Sequence, residues 1–243
     1  MGHEVRVFPQ HLAATNILDY GHPSVRAVTE EVRRSHGETS GRTLVQIFHR
    51  YIEETVRPVY VLNELQPVSV TFGKGSGSCS QRIACLEACS RSCGIPTRVR
   101  GLRIDGRFWY PRFRSVRFLI PKSILLAWPQ FFLDGPEEEG WVDFDELFVS
   151  VAAGANRSAG VFTNTGETLF EAVRHTAVDF MGKTRECGGV CVPVSPDLSR
   201  YVLSDEGFFN TRDELFARFG NFGQTWRGKL FEAVLVKPGR CLL

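Results

Sequence analysis

Apolar residues in this chain follow a helical period first and an alternating one afterwards. Residues 43–56 place Leu44, Ile47, Phe48, Tyr51, Ile52 and Thr55 at helical spacing, and Pro58 stops the run. Residues 25–35 predict an earlier helix, led in by His22-Pro23-Ser24 with Ser24 as N-cap. A third spans 80–93, with Ile83, Leu86 and Cys93 near one face and the small Ala84, Cys85, Ala88 and Cys89 beside them. Gly94 suits the C′ position, and Pro96 prevents continuation.

Beyond Pro96 the period shortens. Residues 97–104 alternate as a strand, and Asp105-Gly106 is a turn signal. A basic, aromatic stretch fills 107–119, followed by strands at 124–133 and 141–144. Small and polar residues then predict a long loop over 149–168. After it come a helix at 169–178, a strand at 187–194, a helix at 211–219 and a last strand at 230–236. Thr211 is the expected N-cap of that last helix, with Glu214 closing a capping box. One central helix followed by several strands predicts an α+β fold, the helix packed on an antiparallel sheet. The chain is read as a single domain, 1–243, with a core at about 10–148 and a C-terminal extension at about 149–243.

Composition narrows the partners. The 243 residues are 43% hydrophobic and 23% charged, and 29 basic against 27 acidic residues leave a net charge of +2. That balance gives no reason to expect nucleic acid or an anionic membrane. The longest apolar run, 124–128, is far below the roughly 18 residues of a membrane span. Residues 1–10 lack the apolar stretch of a secretory signal, and seven cysteines are an odd number. The expectation is a cytoplasmic protein with thiols reduced, buried or reactive. Cys85, Cys89 and Cys93 recur every four residues, which fits small packing residues better than metal ligands; Cys187 and Cys191 read as a strand started through glycines. No metal and no cofactor is expected.

Lys74-Gly-Ser-Gly-Ser-Cys79 puts a thiol at the first turn of the third helix. A helix N-terminus offers unpaired N–H groups and a partial positive charge. Both favour a thiolate, with a pKa below about 8.5. The same N–H groups can hold the oxyanion of an acyl-transfer intermediate, and Gly77 and Ser78 let a substrate approach the backbone. The plain alternative is a buried structural cysteine.

Gly77-x-Cys79, Leu86, Ala88, Arg91 and Gly94-Ile-Pro-Thr-Arg98-Val-x-Gly101 resemble the signature of the transglutaminase-like superfamily. Ala127-Trp128-Pro129-Gln130 through Gly135, then Gly140-Trp141-Val142-Asp143-Phe144-Asp145, resemble its second and third motifs. The resemblance implies a papain-type core with Cys79 as nucleophile, Asp145 at the triad aspartate, and Trp128 beside Gly77 and Ser78 in the substrate site. It breaks at the catalytic histidine, which falls on Leu126, and at the following glutamate, which is Gln130.

A thiolate without an imidazole can attack an activated acyl group such as a thioester. It can hardly protonate an amide's leaving amine. The sequence therefore argues against an ordinary protease or crosslinking enzyme. The resemblance allows acyl transfer or cyclisation, by amide formation or Dieckmann-type ring closure, in natural-product biosynthesis. Its partners would be a small-molecule acyl substrate and an acyl or peptidyl carrier protein. Arg98, Arg100, Arg103, Arg107, Arg112, Arg114 and Arg117, interleaved with aromatics, are either a solvated sheet face or a docking patch for such a carrier. Two other readings stand: a non-catalytic binding module that has lost its histidine, and a hydrolase whose base is His175.

Overall fold

The structure is a computed structural model describing residues 9–37, 39, 41–133, 140–148, 162–175, 178, 180 and 198–235. The predicted strand at 187–194 and most of the predicted loop at 149–168 lie outside them.

After a single turn at Pro9–Leu12 (α1), helix α2 spans Pro23–His36 and α3 Gly41–Thr55. The N-cap of α2 is His22, whose Nδ1 accepts from the Ser24 N–H, rather than the expected Ser24. Pro23 takes N1, where its missing N–H costs nothing. A helix absent from the sequence reading, α4 (Val68–Lys74), is short and rich in β-branched residues. Tertiary contacts hold it: Val68 N–H donates to the Ile17 carbonyl, and Asp19 Oδ1 accepts from Ser69 N–H.

A two-residue parallel ladder of β1 (Arg57–Pro58) with β2 (Ser76–Gly77) delivers the chain to the central helix α5, Cys79–Ser92. Helix α5 packs against α2, α3 and α4 on one side and the sheet on the other. Its own side chains from Gln81 to Arg91 are all buried. It ends as predicted: Gly94 sits at φ +82°, its N–H donates to the Arg91 carbonyl, and Ile95 N–H donates to Ser90.

Four antiparallel strands form the sheet in the order β5-β4-β3-β6: β3 Thr97–Asp105, β4 Ser123–Leu133, β5 Gly140–Asp143 and β6 Val202–Phe209. Pro129 is tolerated inside β4 because β5 pairs only from Gln130 onward. The stretch 107–119 is coiled in 3-10 turns at Gly106–Trp109 and Arg117–Leu119. Gly106 is needed there, since a Cβ would lie 1.9 Å from the Pro121 carbonyl oxygen.

β6 was not expected. Its centre, Ser204-Asp205-Glu206-Gly207, reads as a polar turn, but the acids have partners on β3: Arg100 with Asp205, and Arg103 with Glu206. Helix α6 (Leu169–His175) packs on α5, and α7 (Arg212–Phe219) on β3 and β6. Thr211 caps α7 as predicted, but Glu214 reaches back to Asn210 N–H, one residue upstream of a capping box. The strand expected at 230–236 is helical, within α8 (Trp226–Leu235). Its nearly continuous apolar run does not distinguish the two periods.

Candidate active site

Cys79 is the first residue of α5, and Ser78 caps it. Ser78 Oγ accepts from Gln81 N–H at 3.2 Å, while Gln81 Oε1 accepts from Ser78 N–H at 3.0 Å. This capping box leaves the first-turn N–H groups of Cys79 and Ser80 without a partner among the described residues. Gly77 is buried, and a Cβ on it would lie 2.8 Å from Thr71 Cγ2. Gly77 and Ser78 thus shape the turn that presents the cysteine.

Part of Cys79 reaches the surface, but its thiol is enclosed. Burial pushes the thiol up to about 12, and the Glu171 carboxylate adds to the rise. Arg82 and the Phe170 backbone N–H, aimed at the sulfur, act the other way; Glu64 acts with Glu171. The lowered pKa expected from the helix N-terminus is not found in this arrangement, because burial pushes the thiol the other way.

The cover over Cys79 is the first turn of α6. Glu171 pairs with Arg82 through Oε1 and accepts from the Thr168 N–H and hydroxyl through Oε2. Arg82 also lies over the Phe170 ring, 4.4 Å from its centroid. Its side chain has no exposed surface, and Nε and Nη2 have no partner among the described residues. A residue three positions after the nucleophile shares its helix face, which is the signal that could have drawn attention to Arg82.

Leu126 is buried and paired with Leu102 across β3 and β4, so the histidine position is a core hydrophobe. Trp128 is fully buried between Phe144 and Phe180, and its indole N–H donates to Asp145 Oδ1 at 3.2 Å. Burial and the neighbouring Asp143 raise Asp145 to about 7. Gln130 Oε1 accepts from Arg98 Nε at 2.7 Å while its Nε2 donates to Asp143 at 2.8 Å. A glutamate there would set two carboxylates against each other.

The described histidines are engaged elsewhere. His175 Nε2 is 2.7 Å from Glu53 Oε1 on α3, so α6 turns it toward α3 rather than toward the thiol. His49 is fully buried; its ring stacks on Phe170 at 4.2 Å and Nε2–H donates to the Phe170 carbonyl. Burial lowers it to about 4. His11 lies edge-on to Trp141, and His36 bonds the Val32 carbonyl. Cys85 and Cys89 are core residues on α5.

Three arginines of the stretch, Arg100, Arg103 and Arg107, are paired with acids. Arg98 sits between Trp141 and Phe208, at 4.3 and 4.1 Å from the ring centroids, and Arg107 pairs with Asp105. Arg112 ties Tyr60, Asn164 and the Glu167 carbonyl together, while Arg114 and Arg117 are exposed. Among the described residues no helix is long and apolar enough to cross a membrane.

Residues 26–146 match the model of the transglutaminase-like superfamily. No curated protein matches the chain. One solved structure, a candidate cysteine protease from Cytophaga hutchinsonii, is 15% identical over 55% of this chain and 39% of that one, with a TM-score of 0.38. That likeness is too distant to carry argument. The buried helix with its capped N-terminal cysteine, the antiparallel sheet and the family match agree: this chain has a transglutaminase-like fold, the match lying within residues 26–146.

Proposed function

We propose that this protein transfers an acyl group from an activated thioester through Cys79. The observation that carries the reading is the capped N-terminus of α5, where Cys79 stands beside two uncommitted N–H groups while no imidazole among the described residues serves it. In the first step Cys79 sulfur attacks the thioester carbonyl, the first-turn N–H groups hold the oxyanion, the C–S bond to the donor breaks, and the departing thiolate takes up the proton that Cys79 gives up. A thiol leaving group has a pKa near 8.5, so it departs without the general acid an amine requires. An acceptor nucleophile then attacks the acyl-cysteine carbonyl and releases the Cys79 thiol. Asp145, with a pKa near 7, suits the role of accepting the acceptor's proton. Either an external amine or a carbon nucleophile within the same acyl chain would complete the cycle, the latter closing a ring. A carrier-bound acyl chain remains the donor this chemistry favours, docking through the exposed Arg114 and Arg117.

The test is aminolysis of a short acyl thioester, followed by product mass. Cys79→Ala is expected to lose at least 100-fold in rate and Asp145→Asn roughly 10 to 100-fold. Turnover unaffected by Cys79→Ala would end the proposal. A second reading, a binding module without catalysis, has two observations in its favour: Leu126 in the core and a thiol held neutral by burial. It predicts no turnover by the wild type with any thioester. The hydrolase reading loses support, since His175 is bonded to Glu53.

A further inference from the structure

Arg82 and Glu171 form an ion pair one helical turn from the nucleophile. Arg82 lies three residues after Cys79 on the same face of α5, and the first turn of α6 covers both: Phe170 N–H faces the sulfur and Glu171 takes one arm of the guanidinium. The other donors, Nε and Nη2, are enclosed and unpaired among the described residues. Unpaired donors in the interior are costly, so a sequence that retains them needs a further explanation. On α5 itself two thiols stand three residues from Arg82 and feel its charge, Cys85 in the core and Cys79 at the helix start; only Cys79 stands beside the uncommitted first-turn N–H groups.

We infer that Arg82 is the positioning residue that supplies Cys79 with a positive charge in place of the absent histidine, and that Glu171 sets how much of that charge the thiol feels. This rests on Cys79 being the acyl-transfer nucleophile. With Glu171 ionised, the pair is neutral as seen from the sulfur, and desolvation alone decides that the thiol keeps its proton. With Glu171 neutralised or drawn away, the positive charge of the guanidinium is no longer offset at the sulfur. Thiolate formation is then favoured, and the unpaired donors gain an acceptor.

Other charges around the thiol are fewer. Glu64, before α4, works against the thiolate, but burial raises it towards its neutral form, and it is held to Ser80. From α3, His49 is neutral by burial, and Glu53 is taken up by Arg174 and His175.

The inference is tested by iodoacetamide labelling of the full chain from pH 6 to 11, read at the Cys79 peptide by mass spectrometry. Glu171→Gln is expected to raise the labelling rate roughly tenfold across pH 8 to 10, equivalent to a midpoint about one unit lower. Adding Arg82→Gln to Glu171→Gln should abolish that gain without leaving a buried unpaired charge, and Arg82→Lys in its place should keep most of it. Coincident pH profiles for Glu171→Gln and the Arg82→Gln/Glu171→Gln double variant, with far-UV circular dichroism unchanged, would overturn the assignment. Labelling needs no acyl donor, so the two proposals fail separately. An Arg82-dependent midpoint without thioester turnover removes the function, while turnover with coincident profiles removes only Arg82.

Discussion

Two buried residues make opposite demands on pH. His49 titrates near 6.5 when unfolded and near 4 when folded, because its ring is buried against Phe170. Between those values the unfolded chain binds the additional proton, so stability falls as pH drops through the window, by about 3 kcal/mol in all. Urea titrations of His49→Gln should show this part of the acid limb flattened. Asp145 has the reverse sign: the folded carboxyl holds its proton to about 7, against 3.8 for an ordinary aspartate. Its contribution is present at low pH and is lost as pH rises from about 4 to about 7. Asp145→Asn keeps the neutral form at every pH. Its melting temperature should match the wild type near pH 4 and exceed it by roughly 10 °C above pH 7. Equal melting curves at both ends would show that Asp145 titrates normally. The place of Cys79 at the start of α5 was legible from its glycine-serine loop, but its enclosure was not. The helix dipole is visible in sequence, whereas the enclosing turn of α6 arrives from some 90 residues away.

Element by element, local signals were read well and long-range ones were not. α5 carries its own instructions: Gly94 at its end was read from the sequence, while the Ser78–Gln81 capping box at its start was not. Ser78→Ala should therefore cost about 1 kcal/mol and fray the turn that presents Cys79. The check is denaturant midpoint together with labelling rate at that cysteine. By contrast, α4 contradicts its propensities and stands on bonds from Ile17 and Asp19. β6 contains a polar centre that becomes a strand only when Arg100 and Arg103 of β3 provide partners. His22 displaced Ser24 as the cap of α2 because its ring nitrogen reaches the Ser24 N–H, an option residue preference ranks low.

At the scale of the molecule, the segment that sequence reading treated as a C-terminal extension supplies an edge strand of the sheet and a buried charge. Arg212, at the start of α7, is 1% exposed and reaches between α5 and β4. Its Nε donates to Glu87 at 2.6 Å, Nη1 to Ser80 at 3.0 Å and Nη2 to the Ala127 carbonyl at 3.2 Å. Arg212→Met would strand Glu87, fully buried, without its counter-charge, and should destabilise the fold by about 3 to 5 kcal/mol. Glu87→Gln/Arg212→Met should recover a large part of that loss. If the single variant melts like the wild type, the tie between α7 and the nucleophile helix is not structural. No period or motif announced this contact, because an arginine after a helix cap looks like a surface residue until the sheet closes around it.

The central claim is that Cys79 accepts an acyl group from a thioester. The direct measurement is intact mass and peptide mapping after brief incubation with an acyl thioester, quenched in acid, for the wild type and Cys79→Ser. The account predicts one acyl unit on the peptide containing Cys79, removed by hydroxylamine and shifted to a hydroxylamine-resistant ester or absent in Cys79→Ser. Acyl groups spread over several cysteines, or none on Cys79 at any pH up to 9, would contradict it and leave the chain a transglutaminase-like fold used for binding.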